Sequence, residues 1–516
     1  MKRFASVTPV KGVNLRQYSA LLKPEYALRI YNYIPNGDGS LDMRKGRETI
    51  LDVGTTPLDF FIRFTSTTFV LAYGTTVSYY DETTGIVTPI KTDFSANDGF
   101  MGVRYGEYFF VVNGVDKMWR IDTSFTATEV AASPVMTQIY VIDNRLAGVL
   151  ASDPTVLQYS EVDDYSNPPF DAWNTGTSAT DGGRVGYRNA GNINSVQLLG
   201  NNYIVFCDYG KWGFYIDLQD SGGTIKKIDQ TVFSNQDLGG FASIVTEKGV
   251  FYVNEGAIMN LVSVGQPNIP YSKQEDNPSY ILGDTIFDNL NFSGSAVAYD
   301  LKNKFLYISG KSSNSIVNNR FIVYNTNTKA FSYISNWDVG TFYTDSDNTL
   351  YGTSSSSGKV YKLFTGYTDD GVPIGTEVYQ ELTQIGDYNT AKDLIKIMAQ
   401  CSLSPSSEVT FSFDIWDYYN QFQANVHSYC MTLQNQPLDP DGYGEVSYGS
   451  GGYGGNPDPS DPTIGAYDTY KPMIRNFQRI FLRITSSAIV PHTINLFQAE
   501  IKEKSFIRIR NIVECS

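Results

Sequence analysis

Between residues 58 and 365 the chain repeats one local grammar: short runs of aromatic and β-branched residues separated by Gly, Asn, Asp and Ser. The first unit shows it. Phe60-Phe61-Ile62-Arg63-Phe64, Thr68-Phe69-Val70-Leu71-Ala72-Tyr73, Thr76-Val77-Ser78-Tyr79-Tyr80 and Ile86-Val87-Thr88-Pro89-Ile90 read as four strands, with a turn from Asp81 to Gly85 before the last. Four antiparallel strands of this length make one propeller blade. The pattern returns from Phe100 to Ile121, with Asn113-Gly114 as a hairpin turn, and again around 138–160, 193–228, 241–265, 295–334 and 337–364. A twisted four-stranded sheet has two apolar faces, and stacking on neighbours at both sides buries them. The expected architecture is therefore a β-propeller of six blades, with seven as the alternative count and a pair of β-sandwiches as the competing fold.

Composition agrees with an all-β chain. Among 516 residues there are 37 Tyr, 30 Phe and 45 Gly, which favour strands and tight turns, and the Ala/Leu/Glu/Lys runs of long helices are missing. The length exceeds one ordinary core, and three segments are expected. Residues 1–57 form an N-terminal docking arm, 58–365 the propeller, and 366–516 a C-terminal antiparallel β-sandwich. In the arm, Pro24-Glu25-Tyr26-Ala27-Leu28-Arg29-Ile30 has the makings of a short helix, and Asn36-Gly37-Asp38-Gly39 marks a tight turn. The sandwich carries a Gly/Tyr-rich insertion at 434–470, whose glycine content makes ordering costly and marks it as an exposed tip.

The net charge of −15, from 39 Lys+Arg against 54 Asp+Glu, argues against a protein that grips phosphate backbone. It suits a surface past which DNA slides, and it equally serves to keep an aromatic-rich chain dissolved. The arm is locally basic through Lys2, Arg3, Lys11, Arg16, Lys23, Arg29, Arg44, Lys45 and Arg47, and is expected to dock onto the propeller or onto a neighbouring subunit. Cys207, Cys401, Cys430 and Cys515 show no CxxC spacing, so neither a zinc site nor a disulfide framework is expected. The basic start lacks an apolar h-region, and no run of ~18 apolar residues is present to cross a bilayer.

Chemistry is sparse. The two histidines, His427 and His492, both fall in the sandwich, with Cys430 near His427 in sequence only, and no GxSxG elbow occurs. Strand-facing histidines are the plainer reading. The paired acids Asp163-Asp164, Glu275-Asp276 and Asp369-Asp370 are the candidates for glycoside hydrolysis, which needs carboxylates at about 5 or 6.5 to 9.5 Å; all sit in turn-like contexts, where solvated pairs are the ordinary case. Asp345-Ser346-Asp347-Asn348 and Asp439-Pro440-Asp441-Gly442-Tyr443-Gly444-Glu445 cluster oxygen ligands as calcium requires, without the full EF-hand spacing. Aromatics interleaved with Lys/Arg can stack on single strands, but their strand-period alternation here reads as core. No catalytic residue, metal ligand or cofactor site is therefore assigned.

The order of several short motifs points further. Gly12-Val13-Asn14-Leu15-Arg16, Leu22-Lys23-Pro24-Glu25-Tyr26-Ala27-Leu28, Asn32-Tyr33-Ile34-Pro35, Gly37 to Gly39, and Met43-Arg44-Lys45-Gly46-Arg47 resemble the opening of phage tail nozzle (packaged-DNA stabilisation) proteins. Asp143-Asn144-Arg145-Leu146-Ala147-Gly148, Leu157-Gln158-Tyr159-Ser160 and Phe170-Asp171-Ala172-Trp173 are similar to a later segment of that family. So are Ile193-Asn194-Ser195-Val196, Tyr203-Ile204-Val205-Phe206 and Gly213-Phe214-Tyr215-Ile216. The likeness covers residues 12 to 365. It implies a non-enzymatic virion component: a homohexameric ring below portal and adaptor proteins, assembled in the host cytoplasm, holding packaged DNA and conducting it during ejection without sequence-specific binding or membrane insertion. The basic arm would then suit acidic adaptor surfaces. The alternative is a receptor-binding or glycan-degrading tail protein.

Overall fold

The protein is described from a computed structural model, covering residues 2–6, 8–17, 21–96, 99–142, 144–161, 173, 182–187, 191–199, 202–217, 224–231, 242–253, 257–262, 275–282, 290–312, 314–382, 392–403, 408–419, 422–434, 465–471, 474–477 and 479–503. Among these residues no α-helix occurs; a 3₁₀ turn stands at Pro278–Leu282. The turn residues of the sequence separate short antiparallel strands, so the chain is built of sheets.

Six four-stranded antiparallel sets follow one another. They open with Phe60–Arg63, Met101–Tyr105, Met136–Val141, Ile193–Leu199, Ala242–Thr246 and Leu290–Asp300, and close with Ile86–Lys91, Ala127–Glu129, Gly183–Gly186, Thr224–Thr231, Glu275–Asp276 and Phe331–Ile334. Asp122, Asp300, Asn325 and Asp345 head tight turns whose backbone bonds close within four residues. A seventh set has three strands in sequence, Val339–Thr344, Leu350–Ser354 and Lys359–Leu363. Its fourth is Arg47–Asp52, from the other end of the chain, in the register Leu363↔Arg47 to Lys359↔Asp52. Seven four-stranded sets thus stand among the described residues where the sequence favours six, because the last unit borrows a strand from the segment read as a docking arm.

Each neighbouring pair of sets shares its own apolar cluster. Phe64 and Val70 meet Phe109 and Ile121; Phe110 and Met118 meet Ile139 and Leu146; Val149 and Leu157 meet Val196 and Val205. Phe206 then packs with Tyr252, Phe251 with Tyr324, and Phe321 with Val339 and Tyr361. The last set returns to the first through Leu51, Tyr351 and Val360 against Phe61, Phe69 and Leu71. The ion pair between Arg63 and Asp345, whose side chain is 5% exposed, joins the same two sets, so the succession closes on itself.

The C-terminal part is two antiparallel sheets face to face. One pairs Lys392–Leu403 with His492–Glu503 and Gly465–Tyr470; the other orders Val372–Glu381, Arg479–Ala488, Glu408–Tyr419 and Phe422–Gln434. Their inner faces interleave Leu394, Ile397 and Phe497 with Val378, Phe413 and Ile484. The N-terminal segment is woven through everything. Lys2–Ser6 pairs with Gln498–Lys502, and Leu41–Asp42 with Thr493–Ile494. Arg29–Tyr31 lies between the sixth set, at Tyr333, and the sandwich strand, at Glu377–Tyr379. Residues 24–30 form a turn and then this strand, not the helix the sequence suggests. A single helical turn is costly to nucleate, and here Ala27 N and Leu28 N donate to Gly12 O and Tyr379 O instead.

Candidate functional site

The arm motifs between Gly12 and Arg47 lie along the seam where arm, ring and sandwich meet, while those around 144–160 and 193–216 lie in the third and fourth sets. Gly12 takes φ 80°, and a Cβ there would lie 2.6 Å from the Phe331 backbone. Asn32, 1% exposed at φ 59°, donates from Nδ2 to Ser335 Oγ (2.7 Å) and to the Gly375 carbonyl. Its Oδ1 accepts from Ser335 N and from Arg44 Nε at 2.8 Å. Arg44 is 1% exposed. Its two terminal nitrogens donate to the two oxygens of Asp369, at 2.9 and 2.5 Å, and its guanidinium lies 4.5 Å from the Trp337 ring centroid. Trp337 Nε1 also donates to Asp369, at 3.1 Å. A Cβ on Gly46 would stand 1.8 Å from the Thr368 carbonyl oxygen, so only glycine lets the arm pass there. Arg47 then packs over Tyr361 at 4.2 Å, and Asp370 Oδ1 accepts from Thr49 N. The carboxylates of Asp369 and Asp370 therefore hold the arm in place. A second motif behaves alike: Arg145, 1% exposed, donates to Ser160 O at 3.1 Å and lies over Tyr159.

Beside this seam opens a cleft of about 960 Å³. Turn tips from four places line it: the arm hairpin at Asn36–Ser40, the turns at Asp300–Asn303 and Asp347–Thr349, and the sandwich end at Pro491–Asn495. Four acids reach it, Asp38, Asp42, Asp300 and Asp347, and so do four bases, Arg44, Lys45, Lys302 and Lys362. The acids are braced locally. Asp300 accepts from Lys302 N and Asn303 N, Asp42 from Thr493 Oγ1 at 2.6 Å, Asp38 from Ser40 N and Oγ, and Asp347 from Thr349 N. Their hydrogen bonds hold Asp38 and Asp347 below the usual carboxylate range.

On the cleft wall Phe364 adopts φ 56°, a left-handed conformation costly for a bulky side chain. Its ring stacks on Tyr307 at 4.5 Å and meets Trp337 at 5.1 Å. His492, 3% exposed, accepts at Nε2 from Tyr33 Oη (2.7 Å) while Nδ1 donates to the Val490 carbonyl (3.1 Å). Burial lowers its pKa to about 4, so it stands neutral at pH 7.

The other sequence candidates scatter. Asp345 pairs with Arg63 and caps Ser346 N, and Asn348 turns the chain at φ 63°; these residues serve a turn and the closure between first and last sets. No group of three or more His, Cys, Asp or Glu able to hold a metal occurs among the described residues. Glu275–Asp276 supplies backbone to the fifth set, and His427 backbone pairs with Ile415. Asp163-Asp164, the 439–445 cluster and the insertion to residue 464 lie outside the described residues. Cys207 and Cys401 are buried, Cys430 is exposed, and burial pushes Cys207 up to about 12. No helix among the described residues is long and apolar enough to cross a membrane. Composition gave no hint of the buried Arg44 and Arg145; the R-x-G and N-R-L spacing was the available signal.

No protein-family model and no curated protein matches the chain. Among solved structures it is similar to the extracellular domain of a one-component system from B. thetaiotaomicron, at 12% identity and TM-score 0.43, covering 68% of this chain and 42% of that one. It is also similar to a chain of the mitotic checkpoint complex, at 10% identity and TM-score 0.38, covering 57% of this chain and 85% of that one. The chain thus spans less than half the length of the first of these structures.

Proposed function

We propose that the chain is a seven-bladed propeller fused to a β-sandwich, and that it serves as the structural subunit of a short-tailed phage's tail tube. In that setting six copies form a ring with portal and adaptor neighbours, retain the packaged genome and let it pass at ejection. The observation that carries the reading is the placement of the motif residues. Gly12, Asn32, Arg44 and Gly46 lock the arm into ring and sandwich, so the residues on which the resemblance to nozzle proteins rests have a structural role in this chain. The candidate carboxylates Asp369 and Asp370 are engaged in that lock, which favours a structural over a hydrolytic role.

Two further points support it. The first strands of most neighbouring sets contact one another directly, so in this reading a duplex travels through a lumen made by several copies and not along the axis of one. In the arm, Lys11 pairs with Glu25, Arg29 with Glu377 and Arg44 with Asp369, while Arg16, Lys23 and Lys45 are exposed basic groups that would serve a neighbour. The test is negative-stain microscopy and sedimentation of the purified chain, alone and with portal and adaptor proteins. Closed rings with an open centre are expected. A species that stays monomeric or trimeric with both, and cleaves or captures host glycan, would replace this reading with the receptor-binding one.

A further inference from the structure

We propose that the cleft beside the Arg44 seam is a binding site for a short, uncharged oligosaccharide. The lining selects the ligand class. Its four acids stand with three bases, Lys45, Lys302 and Lys362, besides an Arg44 already neutralised by Asp369, so neither sign prevails enough to hold a phosphate, a polyanion or a polycation. The remaining surface is made of amides, hydroxyls and aromatic faces, the mixture that orients a ligand by a few placed hydrogen bonds over apolar contact. Phe305, Phe364 and Tyr367 line the cleft half-buried, offering ring surface to the C–H face of a sugar.

Amides stand around these rings. Asn495 donates to Ser402 Oγ and keeps its carbonyl oxygen for a ligand, while the exposed Asn348 amide makes no hydrogen bond among the described residues. An amide carries a donor pair and an acceptor together, which matches adjacent hydroxyls better than either charge sign does. A volume of about 960 Å³ suits more than one sugar ring. The left-handed backbone at Phe364 adds a second, independent mark. Strain of that kind persists where the surroundings over-determine it, and here it sets the ring on the cleft wall.

Saturation-transfer NMR and calorimetry on the full chain would use maltotriose, cellotriose and tri-N-acetylchitotriose, with a sulfated heparin trisaccharide and an uncharged Gly/Ser/Tyr peptide alongside. Saturable binding of at least one neutral trisaccharide is expected. Asn348→Gly keeps the left-handed turn and removes the amide, and should weaken that binding about tenfold. Phe364→Leu should weaken it as well; if that variant fails to fold, Asn348→Gly decides alone. The idea is overturned by no binding of any neutral sugar, by binding confined to the sulfated sugar or the peptide, or by affinity unchanged in Asn348→Gly. Ring assembly is scored on the same preparations, and it stands or falls separately.

Discussion

Arg44 is a charge in a place where charge is costly, and the cost is offset only because Asp369, Asn32 and the Trp337 face receive it together. Replacing it with Leu would strand a carboxylate that keeps 18% exposure, so the expected loss is about 3 kcal/mol, the low end for breaking a buried pair, read from urea midpoints. Lys should not rescue, since an ammonium cannot serve two carboxylate oxygens and Asn32 at once. His492 makes a different demand. Folded it titrates near 4, and unfolded near 6.5. Above 6.5 both states are neutral and the contribution is complete. As pH falls towards 4 only the unfolded chain takes up a proton, so stability declines by on the order of 3 kcal/mol and then levels off. The variant His492→Gln should show that much less difference between its urea midpoints at pH 7 and pH 4. These residues were visible in the sequence as letters of a motif or as a rare type. Their burial was not, because it arises from segments hundreds of positions apart.

At the scale of elements, the strand Arg47–Asp52 completes the last set, and the Gly46 gap admits it. Gly46→Ala should cost about 3 kcal/mol by forcing Thr368 aside, as overpacking does. Removing residues 1–52 should go further. It bares the edge of Lys359–Leu363 and the apolar side of Val360, so light scattering and size exclusion are expected to show aggregates. The sequence made the strands of the first unit legible to within a residue or two, since alternation and turn residues act locally there. The borrowed strand was not legible, because pairing between distant segments leaves no local period. The same limit explains Pro24–Ile30, where neighbours supplied partners that a helix would have had to provide for itself. The cleft was hidden likewise: its turn tips looked like ordinary turns until the fold gathered them.

For the molecule as a whole, the net charge of −15 would be borne by every copy of the ring proposed above. Like charges brought together repel, and salt screens them within a Debye length of ~10 Å at 0.1 M. Ring formation by the purified chain is therefore expected to strengthen from 50 mM to 500 mM NaCl in sedimentation velocity; weakening over that range would place the inter-subunit contacts on opposite charges instead. One core runs unbroken from Phe251 through Tyr324 and Val378 to Phe497, so sandwich and ring should lose structure in a single transition. The strand exchange that seals the ring also sets a clock on synthesis. Arg47–Asp52 leaves the ribosome before its partner Lys359–Leu363, which follows roughly 300 residues later, on the order of 15 to 60 seconds at ordinary elongation rates. Through that interval the nascent chain carries a hem with nothing to sew it to. Shielding that hem during translation, by the growing body itself or by the cell's folding helpers, is the toll this topology levies on every copy made.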